Sequence, residues 1–262
     1  MIICRLCGNK NLELYYTQGN NGEFNFYKCK VCKLVNLDLI GELDQKKYEK
    51  KNQDPRGKRR KKFRKGKIQS YAFIKKHIHR RGRLLDIGFG GGGLLNLAHL
   101  DGWTIKGIEL SPVFVQSAKE RYNFDVVTAD FMEYKITDGE QYDTVVLRHV
   151  LEHLEQPVKA MNKVHSLLVP GGYAVLEFPN IESLEQRFKR FFQRTGLHKK
   201  KYSENYKPGH CNEFCKESFT FLINKTGYDI LVWQTYSSSP TFNFIYNHVH
   251  IGNKTRTIIR KR

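Results

Sequence analysis

The chain has 262 residues, 40% of them hydrophobic and 13% aromatic, and its 45 Lys and Arg against 26 Asp and Glu leave a formal charge of +19. That apolar content excludes a disordered chain, and no apolar run approaches the roughly 18 to 20 residues of a membrane span. The first residues, Met1-Ile2-Ile3-Cys4-Arg5, lack the basic head and apolar stretch of a secretory signal, so a cytoplasmic protein is expected.

Residues 1–40 read as a zinc ribbon. Cys4-Arg-Leu-Cys7 and Cys29-Lys-Val-Cys32 each put two sulfurs in one tight turn, and two such turns complete a tetrahedral thiolate shell for Zn2+. Gly8 supplies the permissive backbone that a metal knuckle needs. Leu12–Tyr16 and Phe24–Tyr27 read as short strands between the two pairs. A segment of this size builds little core, so the metal would supply its folding free energy. Two disulfides are the competing reading, disfavoured because nothing else points to secretion. Cys211 and Cys215 have a looser spacing and read as ordinary helix-end thiols.

Residues 41–82 carry +13, with 17 basic and 4 acidic side chains, and include nine basic residues in the twelve from Arg56 to Lys67. The segment reads as a basic helical linker. Such a run can follow a phosphate backbone or an anionic membrane surface, or form a solvated helix face.

From Arg83 the pattern alternates strand and helix, and the charge of 83–180 falls to −5. Strands are expected at Leu84–Ile87, Thr104–Glu109, Phe124–Ala129, Tyr142–Leu147 and Tyr173–Phe178. Helices are expected at Leu94–Leu100, Pro112–Tyr122 and Pro157–Leu168, the last stopped by Pro170-Gly-Gly172. This order predicts an α/β fold with a doubly wound, Rossmann-like sheet whose ligand lies beyond the carboxyl ends of the first strands. The glycine loop after the first strand fits G-x-G-x-x-G through Gly88, Gly90 and Gly93, which suggests a dinucleotide. It also fits D-x-G-x-G-x-G through Asp86, Gly88, Gly90 and Gly92. A carboxylate beside the loop repels a pyrophosphate and attracts an ammonium and a sulfonium, which favours S-adenosylmethionine. Glu109 ends the second strand, where a carboxylate can accept ribose hydroxyls, and Asp130 follows the third, placed for an adenine amino group. A helix-capping acid and a loop acid are the plainer readings of the two.

Leu84-Leu-Asp-Ile-Gly-Phe-Gly-Gly-Gly-Gly93, Glu109, Asp130, the stretch Tyr142–Leu154 and the stretch Leu168–Asn180 resemble the motifs of class I S-adenosylmethionine-dependent methyltransferases. The resemblance is close over 83–180 and looser over Ile181–Glu185, Pro208–His210 and Phe219–Tyr228, where it resembles a bacterial subgroup with an amino-terminal zinc ribbon. It implies that Asp86, Gly88 and Gly90 hold the methionine end of the cofactor, Glu109 the ribose, Asp130 the adenine, and Leu147 and Arg148 its far side. It also implies a small-molecule, sugar or lipid-linked acceptor.

Methyl transfer is an in-line displacement at an activated sulfonium, so the protein aligns the nucleophile, excludes water and removes at most one proton. His149, Glu152 and His153 follow the fourth strand and His210 lies in the variable carboxyl-terminal part; these histidines are the candidate bases. The stretch is similar to the E-x-x-E-H of quinone-biosynthesis O-methyltransferases, which is associated with a divalent metal, but His149 replaces its first acid. Helix capping is the plainer role for Glu152 and His153, and a loop position for His210. Residues 181–262 carry +9 and read as a substrate-specificity segment ending in Thr241–Tyr246 and Thr255–Arg262, a last strand and tail or a surface touching anionic lipid. Such contact would place the enzyme at the inner face of the membrane. Two other functions fit: an RNA methyltransferase gripping RNA with ribbon and linker, and a non-enzymatic module that keeps the cofactor pocket. Against the first, the fourth strand ends Leu-Arg-His, without the Pro-Pro-Tyr stretch suited to base amino groups.

Overall fold

A computed structural model of the chain describes residues 2–39, 58–194, 201–204, 206–237 and 243–262. Residues 41–57 of the basic linker, the side chains of 58–64, and Thr241 and Phe242 lie outside the described residues.

The amino-terminal strands are β1 (Leu12–Gln18), β2 (Phe24–Cys29) and β3 (Val35–Leu37). They pair antiparallel, with Leu12 opposite Cys29 and Phe26 opposite Leu37. Helix α1 (Lys58–His77) follows, then β4 (Arg83–Ile87), α2 (Gly93–Leu100), β5 (Thr104–Glu109), α3 (Pro112–Tyr122), β6 (Val126–Thr128) and β7 (Tyr142–Arg148). A 3-10 turn (Leu151–His153), α4 (Pro157–Leu167), β8 (Leu168–Pro179) and α5 (Leu184–Arg194) come next. The chain closes with β9 (Asn212–Glu213), α6 (Lys216–Lys225), β10 (Tyr228–Tyr236), α7 (Asn243–His248) and β11 (Lys254–Lys261).

Among the described residues the strands form a four-stranded sheet, β1-β2-β3-β9, and a seven-stranded sheet, β10-β11-β8-β7-β4-β5-β6. The second is the expected Rossmann-like sheet. Strand β4 lies inside the sheet between β7 and β5, and its Leu84, Leu85 and Ile87 are buried, as a parallel strand covered on both faces requires. Gly107 in β5 has a close-packing role: a Cβ there would lie 2.6 Å from the Phe89 ring and 2.9 Å from Leu95. Helix α3 starts with Pro112 at its first turn and ends on Asn123 at φ 52°, a residue type that tolerates the left-handed region.

Two elements differ from expectation. The strand expected from Tyr173 begins at Leu168, so Pro170-Gly-Gly172 lies within β8; proline is tolerated near a strand start, where its missing donor costs no ladder bond. The basic end is β11, with Thr255 to Ile259 buried. Its run Thr-Arg-Thr-Ile-Ile lacks the alternation of a half-exposed strand because both faces are covered.

The compact units are discontinuous in sequence. One consists of Met1–Asp44, His149–Asn162 and Leu176–Ile259, the other of Gln45–Arg148, Lys163–Val175 and Arg260–Arg262. In the first, Phe26, Val35 and Leu37 share a core with Ile181 and Cys215, and β3 pairs with β9, so the ribbon strands fold together with the carboxyl-terminal segment. No helix among the described residues is long and apolar enough to cross a membrane.

Candidate functional site

In the second unit the parallel register aligns Ile87 with Ile108 and Leu147, and Glu109 with Thr128. The loops after β4, β5, β6 and β7 therefore leave one edge of the sheet, where a doubly wound fold binds its ligand. Asp86 is buried, at 2% exposure, just before that edge. Gly88, Gly90 and Gly92 all have positive φ. Gly90 turns its N–H onto Glu109 Oε2 at 2.8 Å, and the other Glu109 oxygen accepts the Ser111 N–H at 3.0 Å. A Cβ at Gly90 would meet nothing within 4 Å, so open space lies over the loop at that point. Asp130 is exposed and caps its own turn, accepting the Met132 N–H through Oδ1 at 2.7 Å. Leu147 is fully buried in the sheet, whereas Arg148 is half-buried at the strand end.

Sequence reasoning missed Lys67. A Cβ on Gly93 would come 2.7 Å from Lys67 Cδ and 3.2 Å from Nζ, so this last member of the basic run lies across the glycine loop. Burial draws its ammonium below the usual range; Arg148 and Arg121 push the same way and Asp86 opposes them. The only sequence signal was its distance from the other basic residues, separated from Lys65 by Gly66.

In the first unit the four ribbon cysteines each offer a sulfur, and the sulfurs all lie within 4.8 Å of one another. Cys4 to Cys32 is 3.4 Å and Cys7 to Cys29 is 3.5 Å. A tetrahedral zinc about 2.3 Å from each sulfur requires neighbouring sulfurs about 3.8 Å apart, so the donor set fits. All six cysteines are free thiols, which sets aside the disulfide reading. Both knuckles have one geometry: Gly8 N–H bonds Cys4 O at 2.9 Å, and Lys33 N–H bonds Cys29 O at 3.0 Å. Lys33, at φ 64°, takes the left-handed position that Gly8 holds at φ 74°.

The same unit gathers the candidate bases. His149 adopts φ 56°, costly for a non-glycine residue, and is fixed by its N–H to Glu177 O at 2.7 Å. Its Nδ1 lies 3.2 Å from Glu152 Oε1. Burial alone would raise the Glu152 carboxyl, but the His149 bond and the charges of His149, His153 and His210 hold it below the usual range. Glu152 Oε2 is buried and makes no hydrogen bond among the described residues. His153 directs Nδ1 to the Gly209 carbonyl, which leaves Nε2 as its basic nitrogen. His210 stands 4.9 Å from His153 between ring centroids, and its pKa is lowered by burial and by His153 and His149, against Glu152. Glu152, His153 and His210 each have a donor atom within 4.8 Å of the others.

Glu213, 4.0 Å from His210 Nδ1, was not anticipated. Burial pushes its carboxyl up to about 7, with Glu152 adding to the rise, although the Tyr16 hydroxyl donates to Oε2 at 2.6 Å and Arg190 also opposes it. A raised acid holds its proton in the folded state, so its contribution is present below about pH 4.5 and is lost as pH rises through about 7. Glu213→Gln, which keeps the acceptor for Tyr16, is expected to be near neutral at pH 4 and stabilising by up to about 3 kcal/mol at pH 8. Urea unfolding at both pH values checks this; equal effects at both would refute it.

A family model described as a methyltransferase domain matches residues 56–232. Among curated proteins, the mitochondrial ubiquinone biosynthesis O-methyltransferase of Schizosaccharomyces pombe is 32% identical over 100 residues, covering 36% of this chain and 36% of that protein. The ubiquinone biosynthesis O-methyltransferase of Paraburkholderia xenovorans is 32% identical over 108 residues, covering 39% and 47%. The chain thus spans less than half the length of these relatives. Among solved structures, an S-adenosylmethionine-dependent methyltransferase from Archaeoglobus fulgidus superposes with a TM-score of 0.55 at 21% identity, over 74% of this chain and 94% of that one. The magnesium protoporphyrin IX methyltransferase of Synechocystis, with bound S-adenosylhomocysteine, superposes at 0.56 and 16% identity, over 86% and 90%. At these identities the likeness is one of fold.

Proposed function

This chain belongs to the methyltransferase-domain family, and from that premise we propose that it transfers a methyl group from S-adenosylmethionine to a hydroxyl of a small-molecule acceptor. The observation that carries the reading is the row of Asp86, Gly88, Gly90, Glu109 and Asp130 along one edge of the parallel sheet. Bound S-adenosylmethionine supplies a methyl on a positively charged sulfur. Asp86 would balance the ammonium of its methionine end, Glu109, whose two oxygens already accept the Gly90 and Ser111 N–H groups, would accept from its ribose hydroxyls, and Asp130 would accept from its adenine amino group. Arg148 would close the far side, and Lys67, beside Gly93, would offer its ammonium to the methionine carboxylate. His149 removes the acceptor's proton at Nε2 while Glu152 holds Nδ1; His153 and His210 complete the cluster. The acceptor class follows the relatives, named for O-methylation in ubiquinone biosynthesis. The test is release of S-adenosylhomocysteine, followed by mass spectrometry, with a catechol as acceptor. Turnover on structured RNA instead, with nanomolar RNA affinity at 200 mM salt, would overturn the reading.

Cys4, Cys7, Cys29 and Cys32 would hold one structural Zn2+, the donor set leaving no open position for chemistry. Because the ribbon shares its core with Ile181 and Cys215, a zinc chelator is expected to weaken the fold by about 2 to 3 kcal/mol rather than abolish it. That corresponds to a Tm lower by about 5–10 °C in calorimetry; an unchanged Tm with metal removed would dismiss the site.

The acceptor is met at an anionic membrane surface. Leu184, Phe188, Phe191 and Phe192 share one face of α5 by helical spacing and are 38%, 54%, 59% and 41% exposed. Arg187, Lys189 and Arg190 on this helix outnumber its one acid, Glu185. A basic helix with an exposed aromatic face suits the headgroup boundary of a bilayer. Sedimentation with phosphatidylglycerol vesicles is expected to capture the protein, and Phe188→Ser with Phe191→Ser to release it. Equal capture by neutral vesicles would remove the proposal.

A further inference from the structure

Arg5, the first of the two residues between Cys4 and Cys7, directs its guanidinium to backbone carbonyls of other segments. Its backbone N–H bonds Asn36 Oδ1 at 2.9 Å, Nη2 bonds Leu37 O at 2.8 Å, and Nη1 bonds Cys211 O at 3.2 Å. Leu37 N–H reaches the same Cys211 carbonyl at 2.9 Å, so that oxygen has two donors from the ribbon. On its other side the Cys211 peptide donates its N–H to Glu152 O at 3.0 Å. Asn212, opposite Asn36 in the β3–β9 register, sends Nδ2 to Leu154 O at 2.7 Å. Segment 210–212 is therefore held by the ribbon on one side and holds the turn carrying Glu152 and His153 on the other. His210 is the first residue of that segment. Asn36, Cys211 and Asn212 are fully buried, where a lost hydrogen bond is not replaced by water.

Asn36 also ties the path to the metal, with Nδ2 3.7 Å from Cys4 Sγ and 3.1 Å from Leu34 O. Groups that hold a metal ligand from behind set its orientation, and the restraint acts in both directions.

We infer that Arg5 is a positioning residue for the histidine cluster, and that filling the four-cysteine site rigidifies His210 and His153 through Arg5, Cys211 and Glu152. The inference rests on the reading of those histidines as the proton-removing group. Arg5 touches neither cofactor nor acceptor. Its role is to hold the peptide of residues 210–212 so that His210 and the Gly209 carbonyl stay against His153.

The test uses the full chain with zinc bound and compares Arg5→Met with Arg5→Lys, which keeps one donor. Metal content should stay at one zinc per chain in both, and calorimetric affinity for S-adenosylmethionine should stay within about twofold. Hydrogen exchange of the peptides spanning 149–154 and 206–214 should quicken by roughly tenfold or more in Arg5→Met, less in Arg5→Lys, and not at all in 84–100. Imidazole resonances should show the His210 titration moving toward its ordinary range in Arg5→Met, a shift that general loosening elsewhere would not produce. Chelating the zinc of the unaltered protein should reproduce the same two regional changes. Wild-type exchange and titration in Arg5→Met would overturn the positioning role. If Glu152→Gln leaves turnover on catechol intact while Arg5→Met still loosens 206–214, the proton-removal reading fails and the mechanical link stands. Should Arg5→Met fail to fold, Arg5→Lys and the chelation arm read the same peptides, and no change in either would equally overturn the link.

Discussion

Asp86→Asn is expected to weaken S-adenosylmethionine binding by about 30- to 100-fold, read by isothermal titration. The substitution keeps the shape of a side chain only 2% exposed and removes its charge. At an effective dielectric constant near 20, unit charges about 4 Å apart attract by about 4 kcal/mol, and desolvation offsets part of this. A net loss of about 2 to 3 kcal/mol gives that range. Stability should hold or rise, because a buried charge is removed. Lys67→Met should weaken the same binding more modestly, since burial, Arg148 and Arg121 already disfavour its charged form. Undiminished affinity in Asp86→Asn would refute the cofactor assignment.

The second large effect is expected from Glu152→Gln: kcat lower by about 10²- to 10⁴-fold with cofactor affinity unchanged. The amide fills the same space, but His149 Nδ1 loses the carboxylate 3.2 Å away that fixes its tautomer. Imidazole resonances should show the His210 titration moving still further below its ordinary range, because burial lowers it and the Glu152 charge that opposes this is gone. Unfolding by urea should show equal or greater stability, since Oε2 is buried without a hydrogen-bond partner among the described residues. Activity falling while stability rises is the signature of a site maintained at a cost to the fold. Turnover that is independent of added Mg2+ distinguishes proton removal from a cation held by Glu152, His153 and His210. Unchanged kcat would refute the proton-removal reading.

Much of the sheet was legible because its signals are local. The strand Thr104–Glu109 and the helix Pro112–Tyr122 fall where apolar runs, proline and glycine place them. The glycine loop and its flanking acids follow from strand ends. Lys67 was not legible: in sequence it closes a basic run, and only the packing of α1 brings it over Gly93. Glu213 was equally hidden, because a lone acid carries no sign that burial and a tyrosine from β1 await it. Strand β11 looked like a tail because a strand buried on both faces has no alternation to show.

The amino-acid sequence by itself determined the chemistry available to this protein: four cysteines at knuckle spacing, a carboxylate before a glycine loop, and histidines past a strand end. These depend on residue type and on geometry over a few residues, which short-range sterics dictate. Tertiary structure alone decided that His153 and His210 meet, that His210 joins the neighbouring His149 and His153 around Glu152, and that Arg5 of the first knuckle holds the Cys211 carbonyl. Those contacts join residues 57 to 206 positions apart in the chain. The physical reason is that buried backbone groups must find partners wherever the fold places them, and the pairing of β3 with β9 satisfies them by drawing distant segments together.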